Sequence, residues 1–105
     1  MVKRGAYMIN QLFLVGIVKE LPSYDETSKD NSFIIEVRRN YKNVDGVFET
    51  DLFKCHLWIA ISKKIILCCK EGDIVAVKGR IIDDEGKYTI VAEQIVLLNK
   101  MGDVV

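Results

Sequence analysis

The sequence predicts an all-β domain with one short helix, closed as a five-stranded Greek-key barrel in the order β-β-β-α-β-β. Three observations carry this. Five stretches rich in β-branched and aromatic residues are separated by turn chemistry. Between the third and fourth of them the apolar spacing changes from alternating to helical. With 105 residues, half of them hydrophobic, the chain has the length of one domain and can bury one core, removing about 65% of its unfolded surface.

Gln11 to Glu20 forms the first strand, which ends at Pro22, with Gly16 as a bend or bulge. Ser23 to Asn31 is polar around Tyr24 and reads as a loop. Phe33 to Arg38 is the second strand, and Asn43-Val44-Asp45-Gly46 supplies the turn that follows. The third strand runs from Val47 to about Ile59. From Ala60 to Lys70, Ile61, Ile65, Leu67 and Cys68 recur at helical offsets, and Gly72 suits a helix C-terminus. Asp73 to Ile82 is the fourth strand, Asp83-Asp84-Glu85-Gly86 a tight turn with Gly86 at positive φ, and Lys87 to Leu98 the fifth strand. The domain spans residues 8–99, between an extension at 1–7 and a short tail at 100–105 without an evident partner.

Composition narrows the function. Fifteen basic and fifteen acidic side chains cancel, but residues 54–80 carry a net +4 and residues 81–105 a net −3, so positive charge gathers mid-chain. No apolar run, Ile65 to Cys69 included, exceeds five residues, which excludes a spanning helix. No apolar stretch precedes a small-residue cleavage site, which places the chain in the cytoplasm. Cys55, Cys68 and Cys69 read as reduced thiols, and a single histidine, His56, leaves too few ligands for zinc. No metal or other cofactor is expected. A thiol enzyme is disfavoured because Cys55 and His56, adjacent on a strand, point to opposite faces. Neither a phosphate-cradling glycine loop nor a paired-carboxylate motif is present.

The third strand is the most informative, because its period of two separates two faces. Phe53, Cys55 and Leu57 form one and belong to the core. Leu52, Lys54, His56 and Trp58 form the other, an unusual composition for a plain solvent face. The element order is that of the OB-fold, whose outer face around strands two and three binds oligonucleotides. OB barrels also bind sugars and proteins, so the fold alone leaves function open.

Four segments bring a family into view: Met8-Ile9-Asn10 leading to Leu14-Val15-Gly16; Arg39-Asn40-Tyr41-Lys42-Asn43; Asp51 to Trp58; and Lys70 to Ile81. In this order and spacing the chain resembles the bacterial single-stranded DNA-binding proteins. The resemblance implies an OB domain that binds single strands with little sequence preference and forms homotetramers, a dimer being the smaller alternative. It also implies base-stacking roles for Trp58 and for Tyr41. Leu52 stands where family members carry a stacking aromatic. The hairpin between strands four and five is shorter than usual and acidic at Asp83-Asp84-Glu85. The chain stops at Val105 without the acidic tip through which family members recruit replication enzymes.

Such a binder needs cations along the phosphates and exposed aromatics under the bases. Lys54, His56 and Trp58 offer both on one face. Arg38 lies on the outward side of strand two, beside Arg39, and Lys78 and Arg80 share a parity on strand four. Tyr41 shares parity with Arg39 and reaches the face only if the strand bulges or ends there. Tyr88 either flanks the groove or packs across strands. Trp58 could equally be core or subunit-interface ballast, and His56 a hydrogen-bonded strand residue rather than a pH switch. The competing reading is a protein-interaction module or primosome-type accessory subunit, in which Ile34, Leu52 and Trp58 dock another chain.

Overall fold

The computed structural model describes residues 8–22, 31–100 and 103–104. The expected extension at 1–7 and the loop around Tyr24 lie outside the described residues. The elements are β1 (Leu12–Glu20), β2 (Asn31–Lys42), β3 (Phe48–Leu57), α1 (Ile59–Cys68), β4 (Ile74–Asp84), β5 (Lys87–Leu97), a single 3-10 turn (Leu98–Lys100) and β6 (Asp103–Val104).

The strands lie side by side as β3-β2-β1-β4-β5-β6, and a parallel pairing of β3 with β5, Cys55 to Ile90 and His56 to Val91, closes the first five into a barrel. All other neighbours are antiparallel. The closed barrel in the order β-β-β-α-β-β is the OB-fold read from the sequence.

Period-two burial builds the interior. Val18, Phe33, Ile35, Cys55, Leu57, Val75, Val77, Ala92, Ile95 and Leu97 are buried, with Leu14, Val37, Phe53 and Ile90 packed against them. Helix α1 adds Ile65 to this core and Ile61 at its margin. Leu67, grouped by sequence with that apolar stripe, is instead 85% exposed. At the 100° spacing of a helix it lies two residues from Ile65 and so points away from it.

Two glycines shape the strands. A Cβ on Gly79 would sit 2.2 Å from the Val91 carbonyl oxygen, so only glycine allows β4 and β5 to approach beside the register shift at Lys78/Gly79. Gly86 (φ 87°) and Glu85 (φ 51°) both have positive φ, as the two-residue turn joining paired Asp84 and Lys87 requires.

Several boundaries move from the sequence reading. β2 starts at Asn31 and continues to Lys42, four residues beyond Arg38, because it stays paired to β3 across a register shift between Arg38 and Lys42. β4 extends to Asp84. The bulge of β1 lies between Val18 and Glu20, not at Gly16. β3 ends at Leu57, and Trp58 is the N-cap residue of α1 with extended backbone. That helix stops at Cys68, and Cys69 is its C-cap; Gly72 (φ 93°) lies in the turn beyond. The tail also has a partner, since Val104 and Asp103 pair with Val96 and Leu97 at the free edge of β5.

Polar side chains fasten the barrel ends. Asn10 donates from Nδ2 to the Ile81 carbonyl at 2.6 Å and accepts from the Ile81 N–H at 3.1 Å, prolonging the β1–β4 ladder with a side chain. Buried Asp73 accepts from the Lys70 N–H at 3.0 Å and from Asn99 Nδ2 at 3.1 Å, while Asn99 Oδ1 accepts from the Ile74 N–H.

Candidate nucleic-acid interface

The outer face of the barrel is set by register. Ser32 faces His56, Ile34 faces Lys54, Glu36 faces Leu52 and Arg38 faces Thr50 across β2 and β3. In an antiparallel ladder such partners share a side, and it is opposite to Phe33, Ile35, Cys55 and Leu57. The division of β3 into a core face and a mixed face therefore holds in the structure.

The row through His56 continues around the barrel. His56 pairs with Val91, and Val91 pairs with Arg80, so Arg80 of β4 joins the β3 face across the seam. The start of β5 forms the other wall. Leu52, Phe53, Lys54, His56, Lys87, Tyr88, Thr89 and Ile90 line an open depression of about 360 Å³. Tyr88 is 82% exposed beside it, so it flanks the groove rather than packing across strands.

Trp58 stands at the end of this face and is 58% exposed. It is no part of the barrel core. As N-cap residue its carbonyl accepts from the Ser62 N–H at 2.9 Å, but its side chain makes no capping hydrogen bond, and the first turn of α1 carries no acid. Ser, Thr, Asp or Asn would cap that helix better, by about 1 kcal/mol. The chain has an exposed indole where local stability favours a small polar residue.

The remaining sequence candidates separate. Arg39 has the opposite parity to Arg38 and is bound by carboxylates: its Nε and Nη2 donate to Asp51 at 3.0 and 2.9 Å, and its Nη1 to Glu49 at 2.8 Å. These bonds hold Asp51 below the usual carboxylate range and raise Arg39 above its ordinary value. Arg39 thus stabilises the β2–β3 hairpin on the side away from Lys54. Tyr41, 60% exposed, falls within the register shift that its access required, and its phenol lies within electrostatic reach of Arg39. Lys78 lies elsewhere. It lines a shallow depression with Phe13, Val15, Ala76, Gln94 and Val96 on the outer face of β1, β4 and β5, and Arg80 does not line that depression.

Sequence reasoning missed Lys87, which lines the groove, and Phe48, whose ring lies beneath two cations. Lys87 was legible as the first residue of the last strand, next to Tyr88. Phe48 needed the cross-strand register. Burial raises the Cys55 thiol to about 12, which makes it inert as a nucleophile. Among the described residues no cluster of three or more His, Cys, Asp or Glu side chains could hold a metal ion. No helix among them is long and apolar enough to cross a membrane.

No family model matches the chain. Among curated proteins, single-stranded DNA-binding protein 1 of Streptococcus pyogenes is 32% identical over 77 residues, covering 70% of this chain and 59% of the relative. Single-stranded DNA-binding protein 1 of Lactococcus lactis is 30% identical over 77 residues, covering 70% and 51%. The chain thus spans between half and three-fifths of the length of these relatives. Both are named for binding single-stranded DNA. Among solved structures, the small single-stranded DNA-binding protein of Streptomyces coelicolor superposes with a TM-score of 0.64 at 17% identity, covering 91% of this chain and 99% of that one. A deletion mutant of the Thermus aquaticus single-stranded DNA-binding protein gives 0.65 at 18% identity, covering 92% and 54%. The sequence relatives and the shared fold agree: this barrel is homologous to the OB-fold core of the single-stranded DNA-binding protein family.

Proposed function

We propose that the chain binds single-stranded DNA with little sequence preference, along the outer face of β2 and β3 and the opening of β5. The observation that carries this is Trp58, an exposed indole at a helix start where capping favours another residue type, aligned with Lys54 and His56 and across the seam from Arg80. Stacking on Trp58 and Tyr88 would supply roughly 1–3 kcal/mol per base without reading its identity. Lys54, Lys87, Arg80 and Arg38 would meet phosphates, Leu52 would give an apolar contact, and Tyr41 would extend the surface at the hairpin. The acids Asp83, Asp84 and Glu85 keep the strand away from the β4–β5 tip. Arg39 and Lys78 take lesser parts: one is neutralised by carboxylates, the other stands on a different face.

We assign that second face to self-association. Phe13, Val15, Ile17 and Ile74 are 68%, 56%, 43% and 44% exposed and lie together on the outer side of β1 and β4, a contiguous apolar patch of the kind that marks an interaction surface. Leu12, by contrast, is partly covered. A second copy pairing along β1 would cover this surface, and two such dimers would make a tetramer. The resulting oligomer would protect single strands in the cytoplasm during replication, recombination or repair.

The test is a titration of the purified chain with a thymidine oligonucleotide and with a duplex of the same length, over a salt series. The expected result is preference for the single strand, with log affinity falling against log salt by about 0.7 for each phosphate neutralised. Equal affinity for both, or indifference to salt, refutes the reading. Sedimentation at about 12.0 kDa refutes the oligomer.

A further inference from the structure

We infer that Phe48 is a positioning residue that gathers Arg38 and Lys42 into a second phosphate-binding subsite, at the turn end of the β2–β3 hairpin and apart from the Trp58 groove. The inference rests on the single-strand reading above and assigns a role to two residues, Phe48 and Lys42, outside it.

The guanidinium carbon of Arg38 lies 4.5 Å from the centroid of the Phe48 ring, and Lys42 Nζ lies 5.6 Å from the same centroid. Lys42 is the register partner of Phe48, and Arg38 reaches the ring because the shift between Arg38 and Lys42 shortens the path across the hairpin. Two like charges converge on one aromatic ring. Their repulsion is offset by the ring's negative quadrupole, which attracts cations within about 6 Å.

The distribution of carboxylates sharpens the point. Among the described residues neither Arg38 nor Lys42 has an acidic partner, whereas the neighbouring Arg39 takes both Glu49 and Asp51. Glu36, the nearest acid along β2 on Arg38's side, bridges Lys19 at 3.7 Å. The hairpin has therefore sorted its charges. One side holds a neutralised arginine; the other holds two cations that have no carboxylate partner among the described residues. A guanidinium stacked by its plane keeps its donors at the edge, where a phosphate accepts them in a fork. With the ring already holding both side chains, less rotamer freedom is lost when a phosphate arrives.

Position fits the same strand. Thr50, opposite Arg38, is eight residues from Trp58 along nearly continuous extended backbone, or about 27 Å at 3.4 Å per residue. A strand that engages both ends is several nucleotides long, within the roughly 4–16 that one OB fold occupies.

The experiment uses the full chain and a thymidine oligonucleotide long enough to span both ends, with thermal melts to confirm folding. Arg38→Gln with Lys42→Gln is expected to weaken binding about tenfold at low salt and to reduce the salt slope by about 0.7 for one phosphate lost, or about 1.4 for two. Phe48→Leu retains both cations and is expected to lose part of the slope as well, because the cations are no longer gathered; Phe48→Tyr restores it. If the double variant binds with the wild-type slope, there is no subsite. If Phe48→Leu keeps the wild-type slope while the double variant loses it, the cations act without the ring and the positioning role is wrong. A wild-type chain that binds no oligonucleotide overturns the single-strand reading itself, an outcome distinct from either.

Discussion

Trp58 offers the cleanest perturbation, since it is the only tryptophan in the chain. Replacing it with alanine should separate binding from folding. A Trp side chain offers up to about 250 Å² for burial, and 58% exposure leaves roughly 100 Å² covered. At about 25 cal/mol per Å² that is at most about 2.5 kcal/mol of stability, an upper bound because the unfolded chain also hides some surface. No capping hydrogen bond is lost, because the indole makes none. A fully buried Trp would cost about 3–5 kcal/mol. Against this, the loss of one stacked base should cost roughly 1–3 kcal/mol in affinity, a 5- to 150-fold rise in Kd. The assay is fluorescence titration with a thymidine oligonucleotide well below the melting temperature. Wild-type emission should be that of a wet indole and should quench on binding. Trp58→Ala, followed by anisotropy of a labelled oligonucleotide, should remain folded and bind more weakly. Unquenched emission at saturation, or a folded Trp58→Ala protein with wild-type affinity, would refute the stack.

Other expectations follow from the same geometry. In the folded protein at pH 8, the exposed Cys68 should alkylate readily while Cys55, buried with its thiol raised to about 12, stays protonated and unreactive until denaturant is added; mass spectrometry of trapped adducts decides it. Gly79→Ala should destabilise the fold severely, since its methyl would meet the Val91 carbonyl, and a melt close to wild type would contradict the close approach of β4 and β5. Glu85→Asn should raise the melting temperature, because asparagine tolerates the left-handed φ of 51° with about 1 kcal/mol less strain. The same change removes an acid from the hairpin tip, so single-strand affinity should rise slightly at low salt and converge with wild type at high salt.

Alternation made the barrel legible. The faces of β3, the glycine turn at Glu85-Gly86 and the helix between third and fourth strands could all be placed from the chain, because each is set by local period or local φ preference. What escaped depended on partners distant in sequence. Parity already sets Arg38 on the outward side of strand two, but only the register of the hairpin shows that Asp51 and Glu49 hold the neighbouring Arg39. Lys78 and Arg80 share a parity, yet their neighbours differ: Lys78 lies between Phe13 and Gln94, whereas Arg80 lies beside Val91 at the seam with His56. Alternation makes Trp58 the last outward residue of the third strand. The strand ends one residue earlier, at Leu57, but the backbone of Trp58 is still extended and its side chain exposed.

The seam between β3 and β5 has a kinetic consequence. It joins residues 55–56 to residues 90–91 through only two register pairs, whereas the β2–β3 and β4–β5 ladders are long and local. Loop-closure entropy makes such distant pairing slow to form, and contacts few in number are cheap to break. The two hairpins should therefore assemble first and the seam last, and native-state hydrogen exchange should find seam amides opening at lower free energy than the central ladders. His56 and Val91 lie on that seam, so a strand lying across it would bridge the two hairpins and act as an additional staple, slowing the unfolding of the barrel it occupies.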